Sequence, residues 1–480
     1  MFEKIVSLCV LAIVSSALHT AAQSTNVPPP PAAAPAPPPP AAPVTSQAST
    51  IIPPTGSTLS APPTLASSID RLAKLSPLGD SPHWEALAPL AKTMSRADVE
   101  TALRNIYTDG GAFPQPWRVE PGALIIQTGD PARPEHRIEL GARSEPSDSA
   151  TRFWHRVQEL PPLTDPAKPL ADLHIAIDPG HIGGGYSTVE ERFLSFAPNE
   201  AVQEGYLTLI TAQALAEELK ALGAYVTLVR DRLEPVTKQR PPDLFDAARK
   251  LLTESGFPQP KETYDGLTGD AKLLTVQWQA EKLFYRVSEI RARAKKVNTE
   301  IKPDLVLCLH YNAEAWGAAT SPQFSPNNHF HILVNGCYSA PELEQADIRY
   351  EMFHRLLARV HEEELPLANA VAEGMRRITG LPAYIYTTPN ARRPGTNDAV
   401  YARNLLANRL YDCPVVYLEP YVMNHEETYR RLLNGHFIGR TLIGGKLQTS
   451  VVRDYVRGVI EGLTTYYRTH RRVDSAQQEP

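Results

Sequence analysis

From residue 170 onward the chain alternates between two hydrophobic periods. "LHIAI" (173–177), "AYVTLVR" (224–230), "DLVLCL" (304–309), "HFHILV" (329–334) and "CPVVYLE" (413–419) are short aliphatic and β-branched runs that predict strands. Between them lie stretches of helical spacing. Leu209, Ala212, Leu215, Leu219 and Leu222 share one face and stop near Gly223. Residues 280–299 are expected to be helical, as is "LANAVAEGMRRITGL" (367–381), which should stop at Gly380. "SVVRDYVRGVIEGLTTYY" (450–467) predicts a closing amphipathic helix. Such alternation predicts an α/β fold with three layers, α/β/α, around a mostly parallel sheet. Residues 231–279, rich in Pro, Lys and Asp, interrupt the pattern. They leave a strand at its carboxyl end and are expected to form a helical insertion over that rim. The domain so defined runs from 170 to 472.

Upstream the pattern changes. Residues 66–160 predict a small α+β module without evident chemistry. "SPHWEALAPLAKTM" (81–94) and "SRADVETALRNIYT" (95–108) look helical, the second with Ser95 as N-cap and a stripe of Val99, Leu103 and Ile106. "ALIIQTGDPARPEHRIELGA" (123–142) reads as two strands about a Gly-Asp-Pro turn. Residues 23–65, rich in Pro and Ala, predict an extended linker, partly polyproline II. Residues 1–22 fit a signal peptide: Lys4, then "IVSLCVLAIV" (5–14), then small residues near Ala22. About ten apolar residues are too few to span ~30 Å of hydrocarbon. The expectation is export to the periplasm or the extracellular space, with no stable membrane insertion.

Composition narrows the function classes. The 480 residues carry a net charge of −5, which gives no electrostatic footprint for a nucleic-acid partner. The cysteines, Cys9, Cys308, Cys337 and Cys413, show no CxxC spacing. Without the signal an odd number remains, so neither a disulfide framework nor a thiolate zinc knuckle is expected. Cys308 is best explained as a buried small hydrophobe.

The candidate chemistry lies at strand ends, where open α/β sheets bind ligands. His181 follows the first strand through Asp178-Pro179-Gly180, His310 ends "DLVLCL", and Glu419 ends "CPVVYL". Glu204 stands where the first long helix begins. Two imidazoles and a carboxylate make a zinc ligand set with a position left for water, and a further carboxylate supplies a general base. Glu200 rivals Glu204, since four residues apart on one continuous helix they would share a face. Glu190 and Glu191 are expected to be solvated loop residues. His329 and His331 lie on one side of a strand, as a second metal pair or, preferably, as a face near the site. "NARRPGT" (390–396) is a basic loop or a solvated turn.

Four segments occur in a telling order: "IAIDPGH", an acidic residue opening "EGYLTLITAQALAEELKALGAYVTLVR", "RAKKVNTEIKPDLVLCLHYNA", and "CPVVYLEPYVMNHEE". Over roughly residues 170–470 the chain resembles the zinc-dependent N-acetylmuramoyl-L-alanine amidases of the amidase_3 type. The resemblance implies that His181, Glu204 and His310 bind Zn2+ and that Glu419 is catalytic. It aligns Asn312, Arg293 and Asn298 with residues usual in the family, and Arg403 with an arginine before the catalytic strand. Asn312, His331 and Arg403 are the candidate substrate-binding residues. The implied substrate is peptidoglycan, cut at the amide between N-acetylmuramic acid and L-alanine; no regulatory protein is named by the residues. The chain departs from the family at "GHIGG" in place of "GHGG", in a longer loop from His181 to Glu204, and at "LEPYVMN". These departures bear on substrate detail, since the ligand types survive. Two other classes remain open: a different zinc peptidase, such as a carboxypeptidase, and a non-catalytic wall-binding protein.

Overall fold

The computed structural model describes residues 65–111, 115–142, 152–198, 200–318 and 321–472. The expected signal peptide and nearly all of the expected linker lie outside the described residues. Near the N-terminus β1 (Trp117–Glu120), β2 (Ala123–Gln127) and β3 (Glu135–Glu139) form an antiparallel sheet. The central sheet comprises β4 (His174–Pro179), β5 (Tyr225–Leu228), β6 (Leu305–Leu309), β7 (Phe330–Val334), β8 (Val400–Ala402) and β9 (Val415–Pro420). Their order is β8-β7-β9-β6-β4-β5. From β5 to β9 the neighbours are parallel, while β7 runs antiparallel to β9 and β8 follows β7. Helices cover both faces, which is why β6 and β7 are apolar or buried at every position rather than alternating. The architecture is therefore the three-layer α/β type with a mostly parallel, mixed sheet.

The crossover from β4 to β5 is the helix Glu204–Ala221, whose chain leaves through Gly223 at φ +98°. That left-handed conformation favours glycine and ends the helix. The helix His361–Thr379 starts earlier than the apolar stripe predicts. Glu362, Glu363 and Glu364 in its first turn suit the helix dipole, and Pro366 is accommodated inside it. Its other end stops at Gly380, φ +66°. It crosses the closing helix Val451–His470 at close range: a Cβ on Gly374 would lie 2.4 Å from the Gly458 carbonyl oxygen. The helix Ala346–Leu357 has no counterpart among the predicted elements. Buried Arg349 and Arg355 interrupt its apolar stripe of Ile348, Met352, Phe353 and Leu356. Arg355 reaches Glu364 at 2.7 Å, and that carboxylate also accepts from the backbone N–H of Val415 at 3.0 Å and of Asn335 at 3.3 Å.

Residues 66–160, expected as a separate module, do not bury a core of their own. Trp84, Leu87, Val99, Leu124, Ile138 and Trp154 join the same hydrophobic cluster as the central strands. The seam is also hydrogen-bonded, with Cys337 N–H donating to Ile106 O at 2.7 Å and Thr93 Oγ1 to Leu357 O at 2.9 Å. Within 231–279 the chain forms the turn Pro241–Leu244 and the helices Phe245–Glu254 and Gly269–Leu273. Leu244, Ala248, Leu251, Leu252 and Leu274 pack with Val276, Ala280, Leu283 and Phe284 into a second cluster. Ile182, the residue after His181, is fully buried in that cluster. Cys308, Cys337 and Cys413 are free and buried. No described helix is long and apolar enough to cross a membrane.

Candidate functional site

The site begins where β4 runs out. Gly180 N–H donates to Leu309 O at 2.8 Å, which ties the turn to β6, and Thr208 Oγ1 donates to Gly180 O at 2.6 Å. Glycine is required here because the His310 ring lies against it: a Cβ would sit 2.3 Å from His310 Cε1. The chain then enters the left-handed region at His181, φ +57°, which is uncommon for a side chain-bearing residue. Arg293 holds that turn from behind. Its guanidinium donates to Asp178 Oδ1 at 2.9 Å, to Pro179 O at 2.8 Å and to His181 O at 2.8 Å, and it pairs with Glu289 at 2.7 Å. Asn298 plays a similar part for β9, donating to Leu410 O and accepting from Asp412 N–H.

Glu204 is the first residue of its helix and is buried. Its Oε2 lies 3.2 Å from His181 Nε2, and its Oε1 lies 3.0 Å from His310 Nδ1 and accepts from Tyr311 N–H at 3.2 Å. Among the described residues, these three form the group of ligand atoms that all fall within 4.8 Å of one another. Two ligands each ~2.0–2.1 Å from a tetrahedral zinc stand about 3.3 Å apart, so the residues present fit a zinc ion. His181 Nδ1 faces Glu190 Oε1 at 3.4 Å, and the His310 ring stacks on Tyr417, centroids 4.5 Å apart. Outer partners of this kind fix ring orientation and strengthen a ligand.

The electrostatics belong to a site built for positive charge. Burial opposes a charge on His181, but Glu204 and Glu190 outweigh it and hold the imidazole up to about 9. Burial pushes Glu204 upward, yet His181 and His310 bring its carboxyl well below the usual range. Burial lowers His310 in spite of Glu204. Glu419 is raised to about 8, first by burial and then by the charge of Glu204. Its position follows from the sheet: His310 N–H donates to Leu418 O at 2.9 Å, so Glu419 lies one residue before the end of β9, beside the end of β6.

Other expectations fare differently. Glu200 is exposed and precedes the helix, which starts at Glu204, so the two glutamates do not share a helical face. Glu190 is not solvated. It is buried and accepts from Ile182 N–H at 2.9 Å and Gly183 N–H at 3.0 Å. Sequence reasoning missed it because a carboxylate satisfied by loop N–H groups leaves no periodic trace. Glu191 is half-buried and paired with Lys272 at 3.1 Å. Asn312 caps its own loop, accepting from Ala313 N–H, and its backbone bonds to Tyr421 and Met423. His331 is buried, with Nε2 3.1 Å from the Tyr386 hydroxyl. Arg403 donates to that same hydroxyl at 3.1 Å. His329 pairs with Glu314 at 3.0 Å instead of making a metal pair with His331. Within "NARRPGT", Arg392 donates to the carbonyls of Arg104 and Thr108, so it secures the N-terminal segment.

No protein-family model and no curated protein matches the chain. Solved structures similar to it include the N-acetylmuramyl-L-alanine amidase Ami1 from Mycobacterium smegmatis, at 12% identity and a TM-score of 0.34, covering 62% of this chain and 99% of that one. Another is the CwlD amidase from Clostridioides difficile in complex with the GerS lipoprotein, at 12% identity and TM-score 0.34, covering 62% and 100%. A third is the catalytic domain of CwlV, an N-acetylmuramoyl-L-alanine amidase from Bacillus (Paenibacillus) polymyxa var. colistinus, at 12% identity and TM-score 0.32, covering 62% and 98%.

Proposed function

We propose that the chain is a zinc-dependent amidase that hydrolyses the bond between N-acetylmuramic acid and L-alanine in peptidoglycan, acting outside the cytoplasmic membrane. The observation that carries this is the buried Glu204 carboxylate held between His181 and His310 at the carboxyl ends of β4 and β6. A structural ion pair has little reason to bury one carboxylate between two histidines at a sheet's ligand-binding edge. The motif order from "IAIDPGH" to "CPVVYLEPYVMNHEE" gives the same answer.

In this scheme His181, Glu204 and His310 hold the metal, with Glu190 and Tyr417 setting the two rings. A bound zinc supplies Lewis acidity and lowers the pKa of a water towards ~7. Glu419 accepts the proton of the attacking water and passes it to the departing amine of L-alanine. Burial and the charge of Glu204 raise its carboxyl to about 8, and a dication held by Glu204 would lower it. Asn312 follows β6, His331 pairs with Glu419, and Arg403 reaches the Tyr386 hydroxyl that also bonds His331; the three are candidates for orienting the sugar–peptide.

The test is digestion of purified muropeptides by zinc-loaded protein, with product analysis. Free stem peptide beginning with L-alanine is expected. Release of a terminal amino acid would instead make the enzyme a peptidase, and no product at full zinc occupancy would leave a wall-binding protein.

A further inference from the structure

Between the loop 188–191 and the insertion lies a cavity of about 190 Å3 that the metal centre does not use. Tyr264 and Lys272 of the insertion line it, with Trp278, Glu281 and Lys282 of the following helix and Glu191 of the loop. Most of its polar groups have partners. Lys272 pairs with Glu191 at 3.1 Å, and the Tyr264 hydroxyl donates to Glu281 at 3.2 Å. Gln277 also donates to Glu281, at 3.0 Å.

Lys282 differs. Its Nζ lies over the Trp278 ring, 4.8 Å from the centroid, and it has no hydrogen-bond acceptor or ion-pair partner among the described residues. It is half-buried, and burial followed by the nearby charge of Arg286 draws its ammonium down to about 8. A cation so placed gains from an incoming anion more than a solvated surface lysine does.

We propose that this cavity binds a carboxylate group at the end of a peptide or on an amino sugar, with Lys282 as its counter-ion and Trp278 and Tyr264 against its aliphatic atoms. The flanking Glu191 and Glu281 disfavour a dianion such as phosphate and tolerate a single negative charge. The volume is below the ~300 Å3 of sites for drug-sized ligands, so it takes one terminal residue or one substituent. That the carboxylate comes from the cell wall rests on the amidase reading. Both products of that reaction carry one: the stem peptide at its C-terminus, and the muramic acid at the lactyl group the hydrolysis frees.

The experiment is calorimetric titration of the full chain with three probes: a free stem peptide, its C-terminal carboxamide, and N-acetylmuramic acid. Zinc content and the thermal transition check folding. Binding of the free peptide, or of N-acetylmuramic acid, assigns the source. For whichever binds, Lys282→Gln is expected to weaken affinity about tenfold or more, the loss of one charge-assisted hydrogen bond. For the peptide, the carboxamide should show the same loss on the wild type, which keeps the test sharp if the variant folds poorly. Equal binding by wild type and a folded Lys282→Gln of every probe that binds, equal binding of the peptide's free acid and amide together with no binding of N-acetylmuramic acid, or no binding of any probe overturns the proposal. Failure of muropeptide hydrolysis at full zinc occupancy would overturn the amidase reading alone, since carboxylate binding is measured without turnover.

Discussion

His331 stands directly opposite Glu419 in the antiparallel pair of β7 and β9. Residues so paired project from one face of a sheet with Cβ atoms ~4.5–5.5 Å apart. The Tyr386 hydroxyl oxygen accepts from Arg403, and the same hydroxyl bonds to His331 Nε2. The other ring nitrogen, Nδ1, is buried with no hydrogen-bond partner among the described residues. Burial, then the charges of His329 and Arg403, keeps the ring neutral, down to about 3. His331→Ala is expected to lower kcat on muropeptides by up to about 10²-fold, the size of a positioning defect, with zinc content unchanged. An unaltered kcat would remove His331 from the reaction.

Glu419→Gln separates chemistry from metal binding. The amide keeps the shape but cannot take a proton at neutral pH. Loss of a general base costs ~10²–10⁴-fold in rate, and zinc should stay bound by the other three residues. Loss of zinc instead would make Glu419 a ligand.

Metal content tests the ligand set directly. After dialysis, His181→Ala, His310→Ala and Glu204→Ala are each expected to fall well below one zinc per chain, while Glu200→Ala keeps it. Stoichiometric zinc in both histidine variants would rule the site out.

Glu190→Gln probes the carboxylate behind His181. Outer-shell losses of this kind reduce metal affinity ~10–100-fold, measurable by chelator competition. It also predicts a pH effect in metal-free protein. Burial pushes the Glu190 carboxyl upward, but His181 and the N–H groups of Gly183 and Ile182 outweigh it and hold it below its ordinary value. Its contribution is therefore present at neutral pH and lost as pH falls through the folded-state pKa. Thermal scans should show the wild type losing Tm more steeply than Glu190→Gln on acidification; parallel profiles would contradict the assignment.

Glu364→Ala addresses stability away from the site. It leaves buried Arg355 without its carboxylate and strips acceptors from Val415 and Asn335. Breaking a buried pair costs ~3–5 kcal/mol, to be read from denaturant unfolding. A change below ~1 kcal/mol would mean that water takes over the role.

The central strands were legible because burial on both faces writes continuous apolar runs such as "DLVLCL". His181, Glu204 and His310 could be singled out because each closes or opens an element, and ends are marked by composition. What escaped were contacts across the chain. Buried Arg349 and Arg355 look like surface residues until their acceptors, carbonyls remote in sequence, are seen. Glu190 reads as solvated in the sequence because its hydrogen-bond donors in the loop are backbone N–H groups, identical in every residue type except proline. Helix and strand patterns do not say which apolar face meets which, so the sequence does not show that apolar residues of 66–160 join the cluster of the central strands.

Ile182 sits at 0% exposure in the hydrophobic cluster of the insertion, one peptide bond from His181. An insertion anchored this way cannot swing as a free flap, because opening its cluster pulls on the backbone of a proposed metal ligand. With zinc held as proposed, its release and the opening of that cluster would be one sub-global event. The rate at which a chelator strips zinc should track the slow amide exchange of Phe245–Glu254, and ligands that tighten the insertion should lengthen the lifetime of the bound ion.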